Sequence, residues 1–367
     1  MKPLRMHLLG LPNAPVNLDY SLDGFAAAGH RFARMMKSLG HYVILYGAEG
    51  SDAPCDEFVQ IISERERRAL LEAAPAGNCK YQHVVMDQTR PLWQRSNACA
   101  AAEVARRKQP RDLLLSIGGA SQKLVFDFNP DLMGVEYSIG YEGNFCDHRV
   151  FESRAWMHVC YGKQNIGDGR FYDTVIPVFF DPDQFVFNKK SEDFLLYVGR
   201  LTERKGVHLA CEAAKAAGVA FKVIGHGEGK EGQRILDSVK SYGGEYLGPL
   251  DWEERNEVMS KARAVMTPTL YLEPFNCVAV EAQLCGTPVI STDWGGFTET
   301  VEQGKTGFRC SYLGEFVRAV KQVEGLDRKY ILTRAIDKYS MWNLRHDYQR
   351  YFERLMTRWE KGWDTLD

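Results

Sequence analysis

The stretch FLLYVGRLTERKGVHLACEAAKAAGVAFKVIG, residues 194–225, contains the pattern that decides the fold. FLLYVG (194–199) and FKVIG (221–225) are short apolar runs that end at glycine, which is typical of buried strands. Residues 207–217 between them are predicted to form a helix. A strand, a helix and a second strand in this order predict a βαβ unit, and therefore an α/β fold with a parallel sheet.

The same alternation continues on both sides of this unit. Toward the C-terminus we predict the strands EYLG, AVMTP and PVIST, and helices at 252–261 and near 277–285. Toward the N-terminus we predict strands at 6–10, 41–46, 58–62, 112–116 and 133–139, and helices at about 25–39, 92–107 and 146–161. The polar stretch NKKSED (188–193) is predicted to be the hinge between two domains, residues 1–185 and 186–340. Residues 341–367 are predicted to form a C-terminal helix.

Composition narrows the class of protein. The 46 basic and 48 acidic side chains give a net charge of -2, so no global field favours nucleic acid or membrane. No apolar run approaches the ~18–20 residues of a spanning helix, and the start, MKPLRMHLLGLPNAP, has too short an apolar core for a secretory signal. The nine cysteines form no CxxC pair. We expect a cytoplasmic enzyme.

The basic runs at 65–68 and 105–111 are either solvated helix faces or contacts for anionic lipid or nucleic acid, so peripheral membrane contact stays open.

Two cations follow the strand 194–199. In VGRLTERKG (198–206), Arg200 and Lys205 lie in the loop beyond a strand, where open α/β sheets bind ligands. A guanidinium and an ammonium are suited to the oxygens of a diphosphate. The alternative is a solvated loop, in which such residues are common.

A second motif, YLEPFNCVAVEAQLCGTPVIST (271–292), carries two acids. Glu273 precedes a proline and is therefore expected in an extended loop. Pro274 suits the first turn of a helix, which would leave the amides of Phe275, Asn276 and Cys277 to bind an anion. Glu281 lies two turns further, roughly 9 Å along the axis. The alternative for Glu281 is a surface position, although its neighbours are mainly apolar.

Taken together, the two motifs match the parts of a nucleotide sugar. Carboxylates accept paired hydrogen bonds from vicinal hydroxyls of hexose and ribose, while the cations and the helix start hold the phosphates.

The second half resembles glycosyltransferase family 4, a retaining family with the GT-B fold. The strings that carry the resemblance are VGRLTERKG, VIGHGEG, EYLGPL, EPFNCVAVE, EAQLCGTPVISTDWGGFTETVEQGKTGF and, before them, VIPVFFDPDQF. They cover about residues 175–310. The resemblance implies two Rossmann-like domains facing a central cleft, with the acceptor on the side of residues 1–185, the nucleotide sugar on 186–340, and a C-terminal helix returning to the first domain.

The resemblance also implies roles for residues. Arg200 and Lys205 would contact the donor diphosphate, Glu273 would face the transferred sugar, and Glu281 would bind the ribose hydroxyls. The remaining donor-binding residues are Phe275, Asn276, Cys277 and Val278, whose amides would cradle sugar and phosphate, and Gly199, Gly225, His226, Gly227 and Leu250, near base and ribose.

Family members need no bound metal and no cofactor, and none is expected here. Arg200, Lys205 and the helix dipole would stabilise the leaving diphosphate. Retention without an evident nucleophile implies front-face attack, in which a departing phosphate oxygen helps to deprotonate the acceptor.

Three positions depart from the family pattern. Asn276 replaces a glycine or serine. The first loop, LPNAPVNLDYSLDG, lacks paired glycines. Where members often place a sugar-contacting histidine, this chain has YEGNF, so Glu142 is a catalytic candidate, with Tyr141 or His148 as alternatives.

The sequence therefore predicts a hexosyltransferase that uses a nucleoside diphosphate sugar, with UDP-glucose first and GDP-mannose next. The acceptor stays open among glycan, lipid, small molecule and modified nucleobase. The alternatives are a nucleotide-sugar epimerase of the same fold and a non-catalytic module that binds nucleotide sugar or nucleic acid.

Overall fold

The computed structural model describes residues 3–20, 23–71 and 85–361, and the chain divides into two units. The first unit comprises Met1–Glu152, Cys160–Phe180 and Met341–Asp367, and the second comprises Ser153–Val159 and Asp181–Ser340. The change between units at residue 181 precedes the predicted hinge. Residues 153–159 also lie in the second unit, which the sequence does not predict.

A parallel sheet organises the first unit. Within its described residues the strand order is β3-β2-β1-β4-β5-β6-β7, and every recorded pairing is parallel. The strands are β1 (Arg5–Leu9), β2 (Tyr42–Ala48), β3 (Glu57–Ile62), β4 (Leu113–Ser116), β5 (Met133–Ile139), β6 (His148–Phe151) and β7 (Asp173–Val175). The helices are α1 (Gly24–Ser38), α2 (Glu64–Leu70), α3 (Pro91–Arg107), α4 (Lys123–Phe128) and α5 (Arg154–Lys163). The order reverses at β1, so the switch point lies between β1 and β4.

The second unit repeats this design. In the described part of the chain its strand order is β10-β9-β8-β11-β12-β13, again parallel. The strands are β8 (Phe194–Val198), β9 (Ala220–Ile224), β10 (Glu245–Gly248), β11 (Ala264–Thr267), β12 (Val289–Thr292) and β13 (Gly307–Cys310). The helices are α6 (Val207–Ala217), α7 (Gly229–Ser241), α8 (Trp252–Lys261), α9 (Cys277–Leu284), α10 (Phe297–Thr300), α11 (Leu313–Gln322) and α12 (Arg328–Tyr339), and α13 (Met341–Lys361) follows in the first unit. The switch point lies between β8 and β11.

The last helix completes the core of the first unit. Tyr348, Tyr351 and Phe352 of α13 are buried in the same apolar cluster as Phe32 of α1. The Phe32 ring stacks on Tyr137 at 4.1 Å and meets Tyr348 edge-on at 5.1 Å. The aromatic residues of α13 thus fill one side of the sheet, where their burial contributes hydrophobic free energy.

The helix predicted over 146–161 is wrong in its first half. Residues 148–151 form β6, which pairs with β5 and β7, and α5 begins only at Arg154. The run HRVF is buried throughout, and a short buried strand has no helical periodicity to distinguish it.

The start of α5, which lies in the second unit, is hydrogen-bonded to two other segments of that unit. Ser153 Oγ donates to the carbonyl of Pro274 (2.5 Å), and the Glu299 carboxylate accepts from the amides of Arg154 (3.1 Å) and Ala155 (2.9 Å). A carboxylate at a helix N-terminus also interacts favourably with the helix dipole.

Within the described ranges, no helix is both long and apolar enough to cross a bilayer.

The backbone at Gly206, in the loop after β8, packs closely against Pro268, and a substitution can test this contact. Its φ is +71°, and a Cβ there would lie 1.9 Å from the Pro268 carbonyl oxygen. We expect Gly206→Ala to cost more than about 3 kcal/mol, because backbone strain and a backbone clash combine. Gly218→Ala is the control, since its φ is +70° with open space around it, and should cost about 1 kcal/mol. Urea unfolding of both variants measures the difference, and equal costs would contradict the close approach.

Candidate active site

A buried ion pair lies at the switch point of the second sheet. Lys205 follows β8 and Glu273 follows β11, and the carboxyl ends of these neighbouring parallel strands meet at one edge. Lys205 Nζ lies 3.0 Å from Oε1 and 2.9 Å from Oε2 of Glu273. The side chains are only 16% and 8% exposed. The structure thus brings together the cation and the acid that the sequence singled out in separate motifs.

Tyr271 is a third member of this group. Its hydroxyl donates to Glu273 Oε1 at 2.8 Å, and its ring centroid lies 5.1 Å from Lys205 Nζ. The Arg204 guanidinium covers the same ring at 3.7 Å. Sequence reasoning missed Tyr271, although alternation in an extended segment puts it on the same side as Glu273.

Electrostatics keeps Lys205 protonated. Burial alone lowers the pKa of Lys205, but the Glu273 carboxylate and Tyr271 outweigh it, so the pKa of Lys205 is raised. Burial raises the pKa of Tyr271, with Glu273 acting in the same direction and Lys205 opposing. The site therefore holds an ammonium beside a phenol that remains a hydrogen-bond donor.

The turn Trp294–Gly296 fixes the loop that carries Glu273. Trp294 Nε1 donates to the carbonyls of Thr269 (3.1 Å) and Tyr271 (3.2 Å), and Gly296 N donates to that of Glu273 (2.7 Å). A Cβ on Gly295 would lie 2.7 Å from the Glu273 backbone. Only glycine permits this approach at a φ of +59°, so the loop is clamped from one side.

The start of α9 differs from the prediction. The helix begins at Cys277, and Pro274 lies three residues before it. Asn276 is the N-cap with a φ of +70°, and its Oδ1 accepts from Ala279 N at 2.9 Å. The left-handed conformation, which asparagine tolerates, interrupts the helix there.

The first helical amides are consequently those of Cys277 and Val278, so the predicted helix start at Pro274 was wrong, while donor binding by Phe275 and Asn276 stays a prediction. Phe275 is 2% exposed, and its ring packs edge-on against Tyr339 at 5.7 Å. Its backbone N lies where a Cβ on Gly296 would approach to 2.9 Å. Phe275 therefore anchors the loop to the core.

Glu281 is buried within α9, so the surface alternative is wrong. It is 6% exposed, and its Oε2 lies 3.1 Å from Nη2 of Arg255 on α8. Sequence reasoning missed Arg255, because nothing in the two separate helices indicates that they would be neighbours.

The glycines at the ends of β8, β9 and β10 lie along one edge. Gly199 N donates to Ile224 O, and Gly225 N donates to Gly248 O, both at 3.1 Å. Leu201 N donates to His226 O at 2.8 Å, which places His226 and Gly227 beside the loop after β8. The partly buried Leu250 packs against the core at the start of α8.

Arg200 lies in the same loop but is exposed. Its carbonyl accepts from the Tyr197 hydroxyl at 2.8 Å, which fixes the backbone. Its guanidinium has no recorded ion pair with a described residue. The structure thus fixes the loop position of Arg200 and leaves its side chain in solvent.

The first-unit candidates occupy different environments. Glu142 is exposed and forms an ion pair with Lys163. Tyr141 is buried, and its hydroxyl donates to Glu136 at 3.3 Å. His148 is buried in β6 with Nδ1 2.9 Å from Gly134 O. The role of Glu142 stays a prediction.

Glu136 on β5 holds the YEGNF loop. Its Oε2 accepts from the amides of Phe145 and Cys146, each at 2.7 Å. Burial raises the pKa of Glu136 to about 7, with the two amides opposing. The sequence did not single out this residue.

Polar side chains shape the first loop, which lacks paired glycines. Asn13 Nδ2 donates to Asp23 at 3.0 Å, and Arg67 donates to the Asn13 carbonyl at 2.7 Å. Gln122 is 2% exposed and ties the end of β1 to β4, since its Nε2 donates to Gly10 O and its Oε1 accepts from Ser116 Oγ.

In the part of the chain that the structure describes, no group of three or more His, Cys, Asp or Glu side chains is arranged to hold a metal ion.

Comparison with known proteins finds a family match over the second half of the chain. Residues 180–329 match the model of the family Glycosyl transferases group 1. The glycogen synthase of Mycobacterium tuberculosis (strain CDC 1551 / Oshkosh) is 35% identical over 126 residues, covering 32% of this chain and 30% of that protein. The chain spans about a third of the length of the curated relatives it matches.

Solved structures match over nearly the whole chain. AviGT4, a glycosyltransferase involved in avilamycin A biosynthesis, has a TM-score of 0.69 at 19% identity, covering 97% of this chain and 98% of its own. This chain has the GT-B fold. Anabaena HepE, solved with UDP and glucose, has a TM-score of 0.67 at 14% identity, covering 96% and 100%. At these identities the GT-B likeness concerns the fold alone.

The ion pair yields a stability prediction. Lys205→Met leaves the Glu273 carboxylate buried without its cation, and we expect a loss of about 3–5 kcal/mol. Adding Glu273→Gln removes the stranded charge, so the double variant should be more stable than Lys205→Met alone. Urea unfolding of the native chain, the two single variants and the double variant gives the four free energies of unfolding that make up the double-mutant cycle. A double variant as unstable as the sum of the singles would contradict the coupling.

Glu136 yields a pH prediction. Its folded pKa of about 7 exceeds the ordinary 4.5, so the folded state binds more protons between these values and stability falls as pH rises through them. The loss of folding stability is at most about 3 kcal/mol, because each unit of pKa difference corresponds to about 1.36 kcal/mol. Glu136→Gln should remove this loss, which melting temperatures at pH 5 and pH 8 would measure. The exposed Glu142→Gln is the control, and parallel pH profiles for native and Glu136→Gln would refute the assignment.

Proposed function

We propose that this chain is a retaining family 4 glycosyltransferase that transfers a hexose from a nucleoside diphosphate sugar to an acceptor hydroxyl. The observation that carries the proposal is the Lys205–Glu273 pair, which lies at the switch point of the unit that matches the glycosyltransferase model. UDP-glucose is the first choice of donor. The UDP and glucose in the Anabaena HepE structure support that choice.

The diphosphate would bind beyond the end of β8. Lys205 supplies a protonated ammonium in a largely buried position, where charge interactions are stronger than in water. Arg200, in the same loop, has its guanidinium in solvent and would chelate phosphate oxygens. The N-terminus of α9, at Cys277 and Val278, adds the positive end of a helix dipole.

The transferred sugar would contact Glu273. Each carboxylate oxygen has about two acceptor positions, and Tyr271 and Lys205 occupy only some of them. The one remaining position, on Oε2, can accept a hydrogen bond from a sugar hydroxyl. Tyr271 and the Trp294–Gly296 turn hold the carboxylate in one orientation, which lowers the cost of ordering it when the sugar binds.

The reaction exchanges one bond of the anomeric carbon for another. The bond to the phosphate oxygen breaks, the acceptor oxygen forms a bond on the same face, and the acceptor proton passes to the departing diphosphate. Negative charge grows on the diphosphate as its bond breaks, so Lys205, Arg200 and the α9 dipole would stabilise the transition state more than the bound donor. In this scheme neither a metal nor a cofactor takes part. The acceptor stays open among glycan, lipid, small molecule and modified nucleobase.

Nucleotide binding and transfer test the proposal. In a thermal-shift panel of nucleoside diphosphates and their sugars, one nucleotide at 100 times its Kd should add about 2.7 kcal/mol of stability. Arg200→Ala should weaken binding of that diphosphate. Glu273→Gln should keep most nucleotide binding and lose transfer by about 100-fold or more, measured as nucleotide release with a panel of the four acceptor classes.

Arg234→Ala is the control for Arg200, because Arg234 is exposed and paired with Glu203. It should leave binding unchanged. Absence of binding across the panel, or native transfer by both site variants, would refute the proposal. Sugar interconversion without any acceptor would indicate an epimerase instead.

A further inference from the structure

Arg255 and Glu281 form a second buried charge pair in the second unit. Arg255 lies one turn into α8, which follows β10, and Glu281 lies in α9, which follows β11. The residues are 9% and 6% exposed, and Nη2 and Oε2 are 3.1 Å apart. The resemblance to family 4 gives Glu281 a role with ribose, whereas neither it nor the comparisons assign any role to Arg255.

This pair leaves hydrogen-bonding capacity unused. The contact is an ion pair without hydrogen-bond alignment. Nε and Nη2 of Arg255 and Oε2 of Glu281 are buried, and no described residue provides a hydrogen-bond partner for them. Each unmet buried polar atom costs about 1–3 kcal/mol. Two donors and one acceptor left unmet side by side indicate that a ligand with hydroxyl groups completes them.

The Arg255 guanidinium packs against an aromatic ring. Its carbon lies 4.7 Å from the centroid of the Trp252 ring, one turn earlier on α8. The Trp252 ring in turn meets Phe185 edge-on at 5.4 Å. This packing restricts the guanidinium before a ligand arrives, which lowers the cost of ordering it when a ligand binds.

A vicinal diol satisfies an adjacent guanidinium and carboxylate. Each hydroxyl can donate its proton to the carboxylate and accept a hydrogen bond from a guanidinium N–H. A ligand that lacks one of the two hydroxyls would leave a buried charged group without a partner. Sites built to bind a hydroxyl therefore reject the analogue that lacks it.

We propose that Arg255 is a specificity-determining residue of the donor site, which binds the ribose diol together with Glu281 and selects ribonucleoside over 2′-deoxyribonucleoside diphosphates. The inference rests on the proposed function, since it requires that a nucleoside diphosphate binds this unit. Arg255 supplies the donors and Glu281 supplies the acceptor, so both are needed for selection.

Titration calorimetry with UDP and dUDP tests this role, or with whichever diphosphate and its 2′-deoxy form bind best in the panel. The native chain should bind UDP about 10- to 100-fold more tightly than dUDP, the range for one charged hydrogen bond. Arg255→Leu should weaken UDP and bring the ratio below about 3-fold, and Glu281→Gln should also lower it. Arg255→Lys should keep part of the preference. Lys261→Leu is the control, because Lys261 is exposed at the end of α8 and paired with Glu257.

The outcomes separate the inference from the proposed function. A native chain that binds UDP and dUDP equally overturns the role of Arg255 without any variant. An Arg255→Leu chain that melts like the native one but binds both ligands more weakly by the same factor shows that Arg255 does not select the 2′-hydroxyl, and overturns the role. Both results leave the proposed function standing. If no nucleoside diphosphate binds the native chain, the proposed function and the inference fall together.

Discussion

The Lys205 ammonium and the Glu273 carboxylate are largely buried, and each charge is stabilised by the opposite charge of the other. Removing a charge from water is costly, and a buried pair recovers that cost only with good geometry and further hydrogen bonds. Here both carboxylate oxygens face Nζ at about 3 Å, and Tyr271 adds a hydroxyl. The pair therefore constrains every segment that positions it, above all the loop that carries Glu273.

That constraint explains the close backbone packing around the loop. The turn at Gly295 and Gly296 presses against the backbone of the loop that carries Glu273, with a Cβ approach of 2.7 Å at each glycine. A side chain at either position would displace the carboxylate. Trp294 adds two hydrogen bonds from its indole, so the site is fixed by backbone contacts as much as by its charged residues.

The first unit orders its loops in a different way. The Glu136 carboxylate accepts hydrogen bonds from two amides of the loop after β5. Arg67 donates a hydrogen bond to the carbonyl of Asn13 in the loop after β1. A buried ion pair between Arg149 and Asp173 also reaches Asn144, whose Oδ1 accepts from Arg149 Nη1 at 2.8 Å. Hydrogen bonds of side chains thus order these loops of the first unit.

The sequence by itself determined the α/β class, the parallel strands and the positions of β8, α6, β9 and α8. Periodicity and glycine punctuation are local properties, so residues close in sequence suffice to reveal them. It also singled out Lys205, Glu273 and Glu281, because their motifs are contiguous. The sequence did not predict the strand at 148–151, because a buried run of four residues shows no hydrophobic periodicity.

Only the tertiary structure decided which of these residues meet. Lys205 and Glu273 are 68 positions apart and touch because β8 and β11 are neighbours in the sheet. Arg255 meets Glu281 because two helices from successive βα units pack side by side, and no local pattern encodes that. The start of α9 at Cys277 likewise depended on the left-handed Asn276, whose conformation is set by the packed loop before it. Side-chain partners across a sheet edge follow from strand order, and strand order is a property of the folded chain.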